Sequence, residues 1–239
     1  MRTLVISHQR DAGPGVFAEA IEAAGHELEL WHIAEIAEPP ADPLGYDAVM
    51  TFGGAMHADQ GDQHGWIAAE KQLLSKLLDH RVPLLAVCLG SQLLVEAAGG
   101  KATRMSEPEI GWHPVELTPE AVSDPLLAPL VPGFDAFQWH SYECVPPPEA
   151  VILARSPVCV QAFRVGEAAW GIQFHAEVSA ADAAHWIDDY RSDPDAVRIG
   201  VDPEALGAET AVKIDAWNVL GRELCHRFVI AARAAATRV

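Results

Sequence analysis

The segment PLLAVCLGSQLL, residues 83–94, constrains the fold more than any other part of the chain. Pro83 to Val87 is a continuous apolar run, the type of strand that is buried on both faces of a parallel sheet. A helical pattern from Gly90 to Ala98 follows almost at once, and Gly99 and Gly100 stop it. Cys88 stands at the join. A residue on so sharp a strand-to-helix turn protrudes from the sheet with backbone crowded beneath it, so the positions two before and two after must be small. Here they are Ala86 and Gly90. The turn also puts Cys88 at a helix N-terminus, where free N–H groups and the helix dipole favour a thiolate. A structural cysteine at a strand end fits the same pattern, so the turn alone leaves both readings open.

The pattern around this turn alternates strands with helices. Strands are expected at Thr3–Ser7, Glu27–His32 and Asp47–Phe52, and helices at Val16–Ala24 and Trp66–His80. In the second helix Ile67, Leu73, Leu74, Leu77 and Leu78 fall near helical spacing. Such alternation argues for a doubly wound α/β sheet. After Gly100 come short β-like runs at His113–Leu117, Phe137–His140, Val151–Ala154, Cys159–Val165 and Ala169–Phe174, which suggest an antiparallel addition. The tail is helical, with Ala180–Tyr190 and then one or two helices over Pro203–Ala236, joined by a linker at Ser192–Asp202. In the last stretch Val212, Ile214, Trp217, Leu220, Leu224 and Phe228 recur at three- and four-residue steps, as in a helix that covers the core.

Composition narrows the function classes. A net charge of −18 argues against nucleic-acid binding, because phosphate backbones attract cations. No apolar stretch approaches the ~18 residues of a membrane span. The N-terminal MRTLVISHQR reads as a first strand rather than a secretory signal, so a cytoplasmic, reducing location is expected. The four cysteines, Cys88, Cys144, Cys159 and Cys225, form no CxxC pair, and no metal is expected. Three of them read as small buried hydrophobes.

A partner for Cys88 lies in GIQFHAEV, residues 171–178. On a strand, residues two apart face the same side, so Glu177 would hold one ring nitrogen of His175 and leave the other for a thiol. That is the base-plus-orienter arrangement of a catalytic triad. TFGGAM, residues 51–56, ends a strand with two glycines, and the Gly54 N–H together with the Leu89 N–H would make a two-donor oxyanion hole. In QWHSYE, residues 138–143, His140 ranks as a second base below His175, because no carboxylate stands two residues from it. His8, His57, His64 and His113 show no convincing partner and read as structural or surface residues.

In combination FGGAM, VPLLAVCLGSQLL, EIGWHPVEL, QWHSYE and GIQFHAEVS resemble the class I (triad) glutamine amidotransferases. The EIGW string is most similar to the stand-alone GMP-synthase-like branch. The resemblance implies a flavodoxin-like α/β fold, with a doubly wound, mostly parallel sheet flanked by helices, an antiparallel β addition and a helical C-terminal extension. The amidotransferase domain would span 1–191, and residues 192–239 would pack on it. It also implies that Cys88, His175 and Glu177 hydrolyse the γ-amide of glutamine through a thioester. Gly54 and Leu89 would hold the oxyanion, and Gly53, Gln92, Ser141 and Tyr142 would contact the substrate. The family's usual Gly stands here as Ala86, and its usual Pro between His and Glu as Ala176.

No nucleotide-binding glycine loop is present in the sequence, so an ammonia-accepting synthase would be a separate protein, and the chemistry requires no cofactor. A homodimer through the last helix is a further expectation. Two rival readings share the residues. One is a stand-alone γ-glutamyl peptide or amide hydrolase. The other is a non-catalytic, DJ-1-like stress protein with a similar cysteine elbow.

Overall fold

In the computed structural model, which describes residues 1–130 and 132–236, strands and helices alternate from the first residues onward. Strands β1 (Arg2–Ser7), β2 (Glu27–His32), β3 (Ala48–Thr51) and β4 (Leu84–Val87) are joined through helices α1 (Val16–Ala23) and α2 (Gly65–Asp79). Helix α3 (Leu89–Ala97) leaves β4 directly. The strands β5 (Lys101–Leu117), β6 (Gly133–Val145), β7 (Val151–Arg155), β8 (Val160–Val165) and β9 (Ala169–Ile172) follow, and then α4 (Ala180–Asp188), α5 (Pro194–Ile199) and α6 (Pro203–Ala236). All nine strands form one sheet in the order β2-β1-β3-β4-β9-β8-β6-β5-β7. The β2-β1-β3-β4-β9 part is parallel, and the remaining pairings are antiparallel.

The parallel strands read as unbroken apolar runs because both faces are covered. Val5, Met50, Leu85 and Val87 pack with α1 and α6 on one side. Leu4, Ile6, Val49, Leu84 and Ala86 pack with α2 and α3 on the other. The carboxyl ends of β1, β3, β4 and β9 therefore meet along one rim, the edge at which open α/β sheets bind ligands. Among the described residues, no helix is long and apolar enough to cross a membrane.

Several expectations need correction. Strand β5 begins at Lys101 rather than His113, and β6 runs from Gly133 rather than Phe137. Much of this paired length is polar, so the ladder forms without an alternating pattern to betray it. The expected linker 192–202 contains α5. Its Asp193 side chain accepts from the N–H groups of Asp195 and Ala196, Pro194 opens the helix, and Gly200 closes it at φ 73°. The Asp and Pro that suggest a linker are in fact a helix start. Residues 203–236 form one helix, whose buried face includes Ile214, Trp217, Leu224 and Phe228. Val212 is not on that face, being 83% exposed. Residues 237–239 of the expected extension lie outside the described residues.

Candidate active site

Cys88 caps α3 in a backbone conformation that side-chain-bearing residues rarely adopt, φ 50° and ψ −109°. Such strain persists only where the surroundings over-determine it. Here the Cys88 N–H donates to Ile172 O at 2.9 Å, and its carbonyl accepts from Gln92 N at 3.0 Å and Ser91 Oγ at 2.8 Å. Gly90 explains why the turn can be so tight. A Cβ there would lie 2.6 Å from Thr51 O, so any side chain would push α3 off β3. Cys144, Cys159 and Cys225 are buried free thiols, and burial raises the pKa of each, that of Cys144 to about 12.

His175 and Glu177 are not on a strand. Strand β9 ends at Ile172, and the pair sits in the loop that follows. The backbone there is held by several distant elements instead of a ladder. His175 N–H donates to Phe137 O at 2.9 Å, and Val16 N–H donates to Glu177 O at 2.8 Å. From α6, Trp217 Nε1 donates to His175 O at 2.8 Å and Asn218 Nδ2 to Val178 O at 2.7 Å. Gly15 and Gly221 permit the close approach, since a Cβ on either would fall 2.0 Å from the carbonyl oxygen of Glu177 or Ala176. Held in this way, Glu177 Oε1 lies 2.7 Å from His175 Nδ1. The Trp186 ring packs edge-on against the imidazole at 4.8 Å. Burial alone would lower the His175 pKa, but Glu177 and then Cys88 outweigh it and raise it to about 10.

Gly53 marks where the Cys88 and His175 side chains converge. A Cβ built on it would stand 3.0 Å from His175 Cε1 and 3.7 Å from Cys88 Cβ. Gly54 follows, with Leu89 Cδ2 3.3 Å from where its Cβ would be. Among the described residues neither the Gly54 nor the Leu89 N–H donates to a protein acceptor, so both remain available to a ligand oxygen. These groups open onto a cavity of about 460 Å³, whose wall includes Gly54, Cys88, Leu89, Gln92, Ser141 and His175. Tyr142 is not part of that wall. Its hydroxyl donates to Asp59 at 2.8 Å, its ring stacks on His57, and its carbonyl accepts from His140 Nδ1.

The wall also contains residues that the sequence did not single out: Trp139, whose carbonyl lies 3.8 Å from Cys88 Sγ, Trp186 against His175, Arg104 and the stretch Ser192–Asp195. Arg104 Nη2 donates to both Asp195 oxygens at 2.9 and 2.7 Å, so the segment expected as a linker forms part of the site.

Two histidines have carboxylate partners that sequence spacing hid. His140 Nε2 lies 3.1 Å from Glu109 Oε2, on the facing strand of the β5–β6 ladder. His8 Nε2 lies 2.7 Å from Glu70 Oε2, and both side chains are fully buried. Glu109 and His140 also meet Cys159, bringing three metal-type donors within 4.8 Å of one another. Within the cluster Cys159 Sγ and Gln161 Nε2 both donate to Glu109 Oε2, whereas His140 Nε2 is buried beside that oxygen without forming a hydrogen bond.

The family described as glutamine amidotransferase class-I matches residues 15–189. The chain is 32% identical over 149 residues to a glutamine-hydrolysing GMP synthase subunit from Sulfurisphaera tokodaii, an overlap of 59% of this chain and 73% of that protein. It is 32% identical over 158 residues to the gamma-glutamyl-L-1-hydroxyisopropylamide hydrolase of a Pseudomonas species, covering 61% of this chain and 52% of that one. Among solved structures, a glutamine amidotransferase from Thermotoga maritima superposes with a TM-score of 0.86 at 26% identity, over 96% of this chain and 98% of that one.

Proposed function

The chain belongs to the class-I glutamine amidotransferase family, and on that premise we propose that it hydrolyses the γ-amide of glutamine with Cys88 as nucleophile. The observation that carries this reading is the convergence of Cys88 and His175 over Gly53, with Glu177 2.7 Å behind the imidazole. Cys88 Sγ attacks the γ-carbonyl carbon, and the oxygen takes up negative charge facing the Gly54 and Leu89 N–H groups. His175 gives its proton to the departing nitrogen, which leaves as ammonia, and a γ-glutamyl thioester remains. His175 then takes a proton from water as the water attacks the thioester, and glutamate leaves. Glu177 keeps the ring oriented and supports its charge throughout. Gln92 and Ser141, on the cavity wall, would contact the amino-acid end of the substrate, and Tyr142 would act from behind through its neighbours. An ammonia-consuming synthase, if one is served, would be a separate chain, in keeping with a relative that is itself named as one part of a synthase.

One observation favours a second reading, a stand-alone γ-glutamyl amide hydrolase. The cavity of about 460 Å³ is also walled by Arg104 and Ser192–Asp195, which leaves space for a leaving group larger than ammonia. One relative is named for an amide of that kind. Release of glutamate from L-glutamine and from a panel of γ-glutamyl amides and dipeptides, with Cys88→Ala as control, tests both readings. Preference for glutamine supports the first, and preference for the larger amides the second. Turnover that persists in Cys88→Ala would defeat the mechanism.

A further inference from the structure

Behind the oxyanion loop lies a second, fully buried histidine–carboxylate pair that the proposed chemistry does not use. His8 follows the last residue of β1, and Glu70 sits on the apolar face of α2 with Ile67, Leu74 and Leu77. His8 Nε2 lies 2.7 Å from Glu70 Oε2, Thr51 Oγ1 donates to Glu70 Oε1 at 2.5 Å, and the imidazole stacks on Trp66 at 4.7 Å. Burying an ionisable pair this completely is costly compared with apolar packing of the same volume. What the pair gains is its other contact, His8 Nδ1 to Gly53 O at 3.0 Å.

That contact bears on the oxyanion site through covalent geometry. The Gly53 carbonyl and the Gly54 N–H belong to one planar trans peptide and point in opposite directions. His8 stands on one side of this peptide. A Cβ on Gly54 would be 3.1 Å from His8 Cβ, while a Cβ on Gly53 would meet His175 and Cys88. Holding the carbonyl toward His8 therefore turns the Gly54 N–H toward the nucleophile. The neighbouring groups are pinned too, with Phe52 O accepting from Gly90 N and Ala55 N donating to Gln9 Oε1. Each ring nitrogen faces an acceptor, Gly53 O on Nδ1 and Glu70 Oε2 on Nε2, and although burial lowers the His8 pKa, the Glu70 charge outweighs it and raises that pKa. We infer that His8, held by Glu70, is a positioning residue that fixes the Gly53–Gly54 peptide with its N–H aimed into the oxyanion hole.

The inference rests on the hydrolytic reading above, and its test separates the two. Asn places its amide nitrogen near the position of imidazole Nδ1, whereas Gln places its own near Nε2. His8→Asn therefore keeps a donor for Gly53, and His8→Gln does not. For the glutamate-release reaction, His8→Gln is expected to lower kcat by roughly 10- to 100-fold, short of the ~10²- to 10³-fold cost of deleting an oxyanion donor outright. KM should change by less than about threefold, and His8→Asn should retain at least about ten times the kcat of His8→Gln. Alkylation of Cys88 by iodoacetamide, which forms no oxyanion, should stay within about twofold of wild type in both. The second variant is Glu70→Gln, which is isosteric. Its amide donates to His8 Nε2 and accepts from Thr51, leaving Nδ1–H on Gly53, so kcat should stay within about fivefold of wild type. Unchanged kcat in His8→Gln, a reversed Asn–Gln order, alkylation that falls in step with kcat, or a Glu70→Gln loss as large as that of His8→Gln would each overturn the inference. Wild-type protein that hydrolyses no γ-glutamyl amide would instead defeat the underlying reading.

Discussion

Gly221→Ala tests whether α6 sets the position of the catalytic loop. The new Cβ would stand 2.0 Å from Ala176 O and 3.1 Å from Ala176 C, between His175 and Glu177. Side-chain carbons essentially never approach closer than 3.0 Å, so helix and loop must part by about 1 Å. Both contacts are backbone, so no rotamer change relieves them. The loop also hangs from Trp217 and Asn218 on the same helix, and a displacement there carries the imidazole with it. A misplacement of about 1 Å in a catalytic constellation costs roughly a hundredfold in rate, or about 2.7 kcal/mol of transition-state stabilisation. The assay is kcat/KM for glutamate release from the best γ-glutamyl substrate, with the unfolding midpoint measured alongside. Gly207→Ala in the same helix is the control. A Cβ there meets nothing within 4 Å, so only the propensity gain of up to ~1 kcal/mol remains, a rise of about 2–4 °C in Tm at unchanged activity. Gly221→Ala with wild-type kcat/KM and a raised Tm would show that α6 does not set the position of the loop.

Three further outcomes follow from the geometry. Glu177→Gln removes the charge that keeps His175 protonated, so the alkaline limb of the kcat/KM–pH profile, near pH 10 in the wild type, should move down by about one unit or more; an unmoved limb would contradict the pairing. Because the folded-state pKa of His175 is raised, the stability it contributes is fully present below its ordinary value of 6.5 and fades as the pH rises toward 10; urea midpoints should fall over that window in the wild type and less so in His175→Gln. Gly90→Ala would bring a Cβ to 2.6 Å from Thr51 O and should cost about 1–3 kcal/mol, read as a lowered Tm in a fluorescence melt; an unchanged Tm would show the elbow to be looser than described.

The parts of the molecule most legible in the sequence are those fixed by local physics. The elbow at Cys88 is a strand–helix junction with small flanks, and its crowding follows from neighbours a few residues away. The parallel strands declare themselves because burial on both faces demands continuous apolar runs. Strand periodicity suggests the pairing of His175 with Glu177, but the two meet off the strand, in a loop that takes its shape from Phe137, Val16 and α6. Long-range partners stayed hidden. Glu109 meets His140 only because β5 and β6 pair in a particular register, and 101–117 offered no alternation from which to find it. Glu70 did leave a trace, being a carboxylate at helical spacing with Ile67, Leu74 and Leu77, a position where an unpaired charge would be prohibitive. Its partner His8 sits just past a strand's carboxyl end, the rim where sites form. The part of the wall from Ser192 to Asp195 is not legible in the sequence because Asp and Pro signal a loop and a helix start alike.

On the proposed mechanism Cys88 carries the γ-glutamyl group during turnover. Acid-quenching the protein with a saturating γ-glutamyl substrate and mapping peptides by mass spectrometry tests it most directly. One added γ-glutamyl group is expected on the peptide bearing Cys88, lost on treatment with hydroxylamine and absent from Cys88→Ala. Wild-type turnover that leaves no hydroxylamine-sensitive adduct on Cys88, or an adduct on any other residue, would contradict it.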